Sequence, residues 1–98
     1  MKVKICGMTR EKDIESALAA GVDFLGFNFI KQSPRYVNFE WSIDMAKKYH
    51  LDRKFVSLFN SAEEKKIKKL EQILPESVLQ YYGDLPFLTS LSLSLIHI

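Results

Sequence analysis

The chain has 98 residues, 47% of them hydrophobic, enough apolar material for one small domain and too much for a disordered chain. Lysine and arginine exceed aspartate and glutamate by 14 to 12, and a formal charge of +2 singles out no polyanionic partner. A lone cysteine rules out an internal disulfide framework or a cysteine-cluster metal site and fits a reduced, cytoplasmic setting.

Met1-Lys-Val-Lys4 followed by a polar helix is no signal peptide, and no apolar run is long enough to span a bilayer. Lys2 to Cys6 alternates and reads as a strand. Thr9 is positioned to cap a helix from Arg10 to Ala20, with Ile14, Ala17 and Leu18 as its buried stripe and Gly21 as the residue that closes it. Asp23 to Phe29 is a near-continuous apolar run, as suits a strand covered on both faces. Within it, Gly26 leaves room for a close neighbour, while Phe27 and Phe29 are expected on the inner face of a curled sheet. Lys31 to Val37 is a loop containing Pro34. Asn38 caps a second helix reaching Tyr49, with Phe39, Ile43 and Ala46 inward.

Lys54 to Phe59 predicts a third strand. Ser61-Ala-Glu-Glu64 has the pattern of a capping box, and the helix after it buries Ile67, Leu70 and Leu74 before Pro75 stops it. Ser77 to Tyr81 is a fourth strand, ending at Gly83-Asp84. Strands alternating with helices of about ten residues predict an α/β fold of parallel βα units. A complete (βα)8 barrel needs about 250 residues, so residues 1–84 amount to half of one.

The segment 85–98 differs: it holds no Asp, Glu, Lys or Arg. The expectation is a non-native tail, with a fifth strand at the sheet edge, from the alternation of Leu91 to Ile98, as the alternative.

Four positions can carry chemistry. A free cysteine is usually a small buried hydrophobe. Cys6, however, ends the first strand, where barrel active sites assemble, just before a helix start whose dipole favours an anion. Arg35 in its proline-bearing loop is either a solvated surface group or a planar fork for a carboxylate or an aromatic ring. Gln80 and Asp84 lie at the end of the fourth strand, and Gln80 faces either the mouth or the next strand. Lys65-Lys66-Ile-Lys68-Lys69 could mimic a nucleic-acid patch, but its helical interruption by Ile67 and Leu70 makes it the wet face of an amphipathic helix. His50 and His97 lack metal-ligand company, and no glycine-rich phosphate loop is present.

Val3-Lys-Ile-Cys-Gly-Met-Thr9, Ala19-Ala-Gly-Val-Asp23, Leu25-Gly-Phe27, Ser33-Pro-Arg-Tyr-Val37 and, more weakly, Leu79-Gln-Tyr-Tyr-Gly-Asp84 stand in the order and spacing of one family. Over residues 2–84 the chain resembles the N-terminal half of phosphoribosylanthranilate isomerase, a (βα)8-barrel enzyme of tryptophan biosynthesis. The resemblance implies an Amadori rearrangement of N-(5-phospho-β-ribosyl)anthranilate. A general acid opens the ribose ring, and a general base removes the C2 proton to give an enol that becomes the aminoketose. Cys6 matches the family's base and Arg35 its substrate-contacting arginine, with Gln80 a further substrate-side candidate. No metal or organic cofactor is implied, because the substrate's own iminium withdraws electrons. The chain departs from the family at Tyr82, which stands where a histidine is usual.

In the family the general acid and the phosphate site belong to later strands. The 98-residue chain alone is therefore expected to be inactive and to self-associate through its sheet edges, without nucleic-acid or membrane partners. Two alternatives are a noncatalytic half-barrel and a flavodoxin-like binding module sharing only the βα rhythm. A receiver-type module would want acidic residues where the first strand instead ends in Cys6-Gly7.

Overall fold

The computed structural model describes residues 2–60 and 63–82, together with the backbone of Ser94–His97. Five parallel strands stand side by side in sequence order. They are β1 (Lys4–Ile5), β2 (Phe24–Asn28), β3 (Phe55–Phe59), β4 (Val78–Tyr81) and β5 (Ser94–His97). Three helices connect the first four: α1 (Glu11–Ala19), α2 (Phe39–Lys48) and α3 (Glu64–Ile73). The expected half-barrel of alternating βα units is present. Ser94–His97 adds a fifth strand parallel to β4, as the alternation near the C-terminus allowed.

Each helix buries the stripe read from its spacing, Leu18 of α1 only in part. Ile14 and Ala17 of α1, Phe39, Ile43 and Ala46 of α2, and Ile67 and Leu70 of α3 pack against Leu25, Phe27, Phe29, Phe55, Phe59, Leu79 and Tyr81 of the sheet. The aromatic rings set the geometry of this layer. Phe27 stacks on Phe55 with centroids 4.4 Å apart, and Phe29 meets Phe39 edge-on at 5.2 Å. Phe27 and Phe29 therefore face the helices, not the inner face of the curl as the sequence reading had them. A continuous apolar run carries no alternation from which to read the two faces.

Helix ends follow local chemistry, with one correction. At the end of α1, Gly21 adopts φ +75, its amide donates to Leu18 O, and Val22 N donates to Ala17 O, a Schellman closure. Asn38 Oδ1 accepts from Trp41 N at 2.9 Å, as expected of the α2 cap. α1, however, starts at Glu11 with Arg10, not Thr9, at the cap. Arg10 holds the first turn by pairing with Asp13 instead of by a side-chain cap. α3 begins at Glu64 after Glu63, which makes no capping side-chain bond; Ser61 and Ala62 of the expected capping box lie outside the described residues. Three of the four lysines of α3 pair with carboxylates, Lys68 with Glu64, Lys66 with Glu63 and Lys69 with Glu40, as befits a solvated face.

The opposite face of the sheet carries Lys4, Phe24, Gly26, Asn28, Val56, Leu58, Val78 and Gln80, which share a side through the parallel registers. Its curvature is visible in a single contact. Lys4 pairs with Phe24, and the next two registers carry that line through Lys54 to Glu76. Yet Lys4 Nζ donates at 2.7 Å to Gln80, four residues beyond Glu76. The offset runs in the direction of a barrel's strand tilt, with the length of the lysine side chain taking up part of it. A flat sheet would hold β1 and β4 about 14 Å apart, so the bond also requires the sheet to curl. Val56 and Leu58, at 2% and 6% exposure, are buried inside the curl.

Candidate active site

The site lies at the carboxyl ends of β1, β2 and β4, and its geometry starts from two glycines. Cys6 follows β1 on the inner face and is partly buried. A Cβ on Gly26 would stand 3.1 Å from Cys6 Cα and 3.2 Å from its Sγ, so the bare backbone of β2 is what lets the thiol lie across it. The close neighbour that Gly26 was expected to admit is Cys6. The chain then turns at Gly7, with φ +78, and both Gly7 N and Met8 N donate to Gly26 O at 3.0 Å. That paired bond fixes the thiol's backbone to the neighbouring strand. The start of α1 contributes less than the sequence suggested. Four residues separate Cys6 from Glu11, and the first helical turn already carries Glu11 and Asp13.

Arg35 reaches the same place from β2. Ser33-Pro-Arg-Tyr36 closes as a turn, with Tyr36 N donating to Ser33 O at 3.1 Å. Proline at the second position suits such a turn because its φ is preset. Ser33 Oγ accepts from Arg35 N at 3.1 Å, the serine's own version of the turn bond. Asn28, the last residue of β2, anchors the loop: its Oδ1 accepts from Ile30 N at 2.9 Å, its Nδ2 donates to Ser33 Oγ at 3.2 Å, and its carbonyl accepts from Val37 N at 3.0 Å. So held, Arg35 lays its aliphatic stem over Gly7. A methyl there would fall inside contact distance of Arg35 Cδ and 3.1 Å from Nη1. The residue next to Cys6 is thus the floor beneath the arginine. Arg35 is exposed, and among the described residues no carboxylate pairs with it.

Beneath the mouth runs a polar chain. Lys4 Nζ donates to Gln80 Oε1 at 2.7 Å, and Gln80 Nε2 donates to Tyr82 OH at 2.7 Å. Gln80, at 6% exposure, therefore faces the curl and not the next strand.

The fold thus brings Cys6 and Arg35 to one spot and sets Gln80 one layer below; Asp84 lies outside the described residues. Asn28 and Lys4 were not singled out in the sequence. Both carried a signal: Asn28 is the polar exception in an apolar strand, and Lys4 alternates with Ile5, which puts a charge on the face opposite the helices. His50 stands at the α2 exit with φ +55, away from the site.

No protein-family profile matches the chain. Among curated proteins, an N-(5'-phosphoribosyl)anthranilate isomerase of Dechloromonas aromatica is 39% identical over 83 residues, which cover 85% of this chain and 40% of that protein. Among solved structures, phosphoribosyl anthranilate isomerase from Thermus thermophilus superimposes with a TM-score of 0.69 at 30% identity, covering 88% of this chain and 43% of that one. A phosphoribosyl anthranilate isomerase in complex with reduced 1-(o-carboxyphenylamino)-1-deoxyribulose 5-phosphate superimposes with a TM-score of 0.71 at 28% identity, over 88% and 44% of the two chains. By sequence and by fold the chain is related to these isomerases, and it spans about two fifths of their length.

Proposed function

We propose that this chain supplies the β1–β4 part of a phosphoribosylanthranilate isomerase barrel, with Cys6 as the proton-abstracting base and Arg35 as the clamp on the anthranilate end. The observation that carries the reading is the stacking of Arg35 on Gly7, directly beside Cys6. A base must stand within reach of the proton it takes. An arginine fork offers two parallel donors to a carboxylate and a flat face to an aromatic ring, and an anthranilate group presents both. In the proposed reaction an acid elsewhere in the barrel protonates the ribose ring oxygen, and the C1–O bond opens to an iminium. Cys6 then takes the C2 proton, and the C–H electron pair flows into the iminium to give the enolamine. Tautomerisation yields the aminoketose 5-phosphate. The ligand complex of the related isomerase supports a phosphorylated small molecule as substrate class. The acid and the phosphate-binding groups are assigned to the remaining three fifths of the barrel.

The test joins residues 2–82 to the remaining length of the Dechloromonas aromatica relative and compares Cys6→Ser with the parent. Loss of turnover with an unchanged Kd for the reduced product analogue is expected; near-normal kcat in Cys6→Ser would remove Cys6 from the mechanism.

On its own the chain is read as self-associating. Val3 and Ile5 are 50% and 38% exposed beside the edge of β1, which no strand pairs among the described residues, and a shallow groove lined by Ile5, Met8, Ala17 and Ala20, with Asp13 and Ser16 at its polar side, runs next to them. Exposed edges and apolar patches recruit partners. Among the described residues this surface is exposed, whereas Phe27 and Phe29 are buried.

A further inference from the structure

Resting on the isomerase reading of the mouth, we propose that Tyr82 is a substrate-contacting hydrogen-bond donor, aimed by a Lys4–Gln80 relay. A lysine ammonium only donates. Lys4 therefore fixes which end of the Gln80 amide faces it: the oxygen, at 2.7 Å. The amide nitrogen is then committed to the other side, where it donates to Tyr82 OH at 2.7 Å. A phenol oxygen that accepts from one side directs its own proton elsewhere. Two residues on two non-adjacent strands, Lys4 of β1 and Gln80 of β4, thereby set the polarity of one hydroxyl.

Cys6 and Tyr82 each stand two residues beyond Lys4 and Gln80 along the chain, on the same inner face and toward the same end of the sheet. The lower layer is closed because lysine and glutamine are long enough to meet. Cysteine is three bonds shorter than lysine, so the thiol two residues further on cannot reach across the sheet as Lys4 does. Arg35 lies over Gly7 at that end of the sheet. A ligand atom that loses its proton to Cys6 would have Tyr82 on its other side. The acceptor is a ligand oxygen adjacent to the reacting carbon, where negative charge grows in the transition state and a preset donor is most effective.

The relay is read first on the chain as it stands. Lys4→Met should shift the side-chain amide 15N and 1H resonances of Gln80; unchanged resonances would mean that Lys4 does not orient the amide, and the proposal falls. The catalytic arm uses residues 2–82 joined to the remainder of the Dechloromonas aromatica relative. Tyr82→Phe keeps the ring and removes the donor, and kcat/KM should fall ten- to a hundredfold. Lys4→Met, at an exposed position, should cost a few-fold in the parent and nothing further in Tyr82→Phe, because it acts only through the phenol. Additive losses overturn the relay. A Tyr82→Phe enzyme within twofold of the parent, while Cys6→Ser is inactive, overturns the role of Tyr82 and leaves the isomerase reading standing. A folded chimera without turnover overturns both. Should Tyr82→Phe fail to fold, Lys4→Met decides alone: unchanged kcat/KM together with unchanged Kd for reduced 1-(o-carboxyphenylamino)-1-deoxyribulose 5-phosphate refutes the proposal.

Discussion

Gly7→Ala is the sharpest single perturbation of this site, because its two consequences separate. The backbone there has φ +78, and a non-glycine residue in that left-handed region costs about 1–2 kcal/mol. Replacing glycine also narrows the unfolded ensemble, which returns about 0.4–1 kcal/mol. The net loss is about 1 kcal/mol, a fall in Tm of about 4–8 °C for a domain of this size. Gly21 supplies the control: its φ is +75, and nothing lies within 4 Å of where its Cβ would be. Gly21→Ala should therefore cost a similar amount of stability. At Gly7 the methyl also overlaps Arg35 Cδ. Because the arginine is exposed and long, it swings aside at little energetic cost, so this second effect adds almost nothing to ΔG of unfolding. It does move the guanidinium off its seat beside Cys6. In the completed barrel kcat/KM should fall about ten- to a hundredfold for Gly7→Ala, about 1.4–2.7 kcal/mol, and stay near the parent value for Gly21→Ala. Thermal unfolding of both variants, with steady-state kinetics of both in the joined barrel, makes the comparison. Equal kinetics for the two variants would refute the placement of Arg35 on Gly7, whatever their stabilities.

Arg35→Lys keeps the charge but loses the planar fork, and should lower kcat/KM in the joined barrel by one to three orders of magnitude, about 1–4 kcal/mol; an unchanged value would make Arg35 a plain surface group. His50 occupies the left-handed position at the end of α2, where Leu51 N donates to Ala46 O, so His50→Gly should raise stability by about 0.5–1 kcal/mol in urea titration, and a loss would show that the imidazole has a role in the turn. Bonds from Lys48 and Tyr49 hold the Glu11 carboxyl below its ordinary 4.5, so its contribution is complete above that pH and lost as pH falls through the lowered value. Glu11, then burial, then Glu15 push the Tyr49 phenol above its ordinary 10.0, so its contribution is complete below pH 10.0 and fades as pH rises beyond; Tyr49→Phe should flatten that alkaline loss, and an unaltered slope in pH-dependent unfolding would place its origin elsewhere. Size-exclusion with light scattering at micromolar concentration should show dimers or larger species of the 98-residue chain, reduced by Val3→Lys with Ile5→Lys; a monomeric parent would refute association through the β1 edge.

What was legible in the sequence is what depends on neighbours within one or two turns. Ile67, Leu70 and Leu74 announce their helix face by spacing alone, and all three are buried. Gly21 and Asn38 announce helix ends because few residues suit a left-handed closure or an N-cap. Cys6 and Arg35 could be assigned to one end of the sheet because parallel strands all present their carboxyl ends to the same side. Two kinds of information were missing. One is parity: the run from Phe24 to Phe29 is apolar throughout, so nothing but Gly26 and Asn28 marks its inner face, and Phe27 and Phe29 were assigned to the wrong side. The other is shear. That Lys4 meets Gln80 follows from a tilt accumulated over three strand registers, and no local pattern records it. The same distinction explains Gly7. Its glycine is required by a turn, which is a local demand, and also by an arginine stem from 28 positions along the chain, which is not. Residues with such a double demand are where a sequence reading finds the right residue for half of the reason, and where one substitution tests the other half.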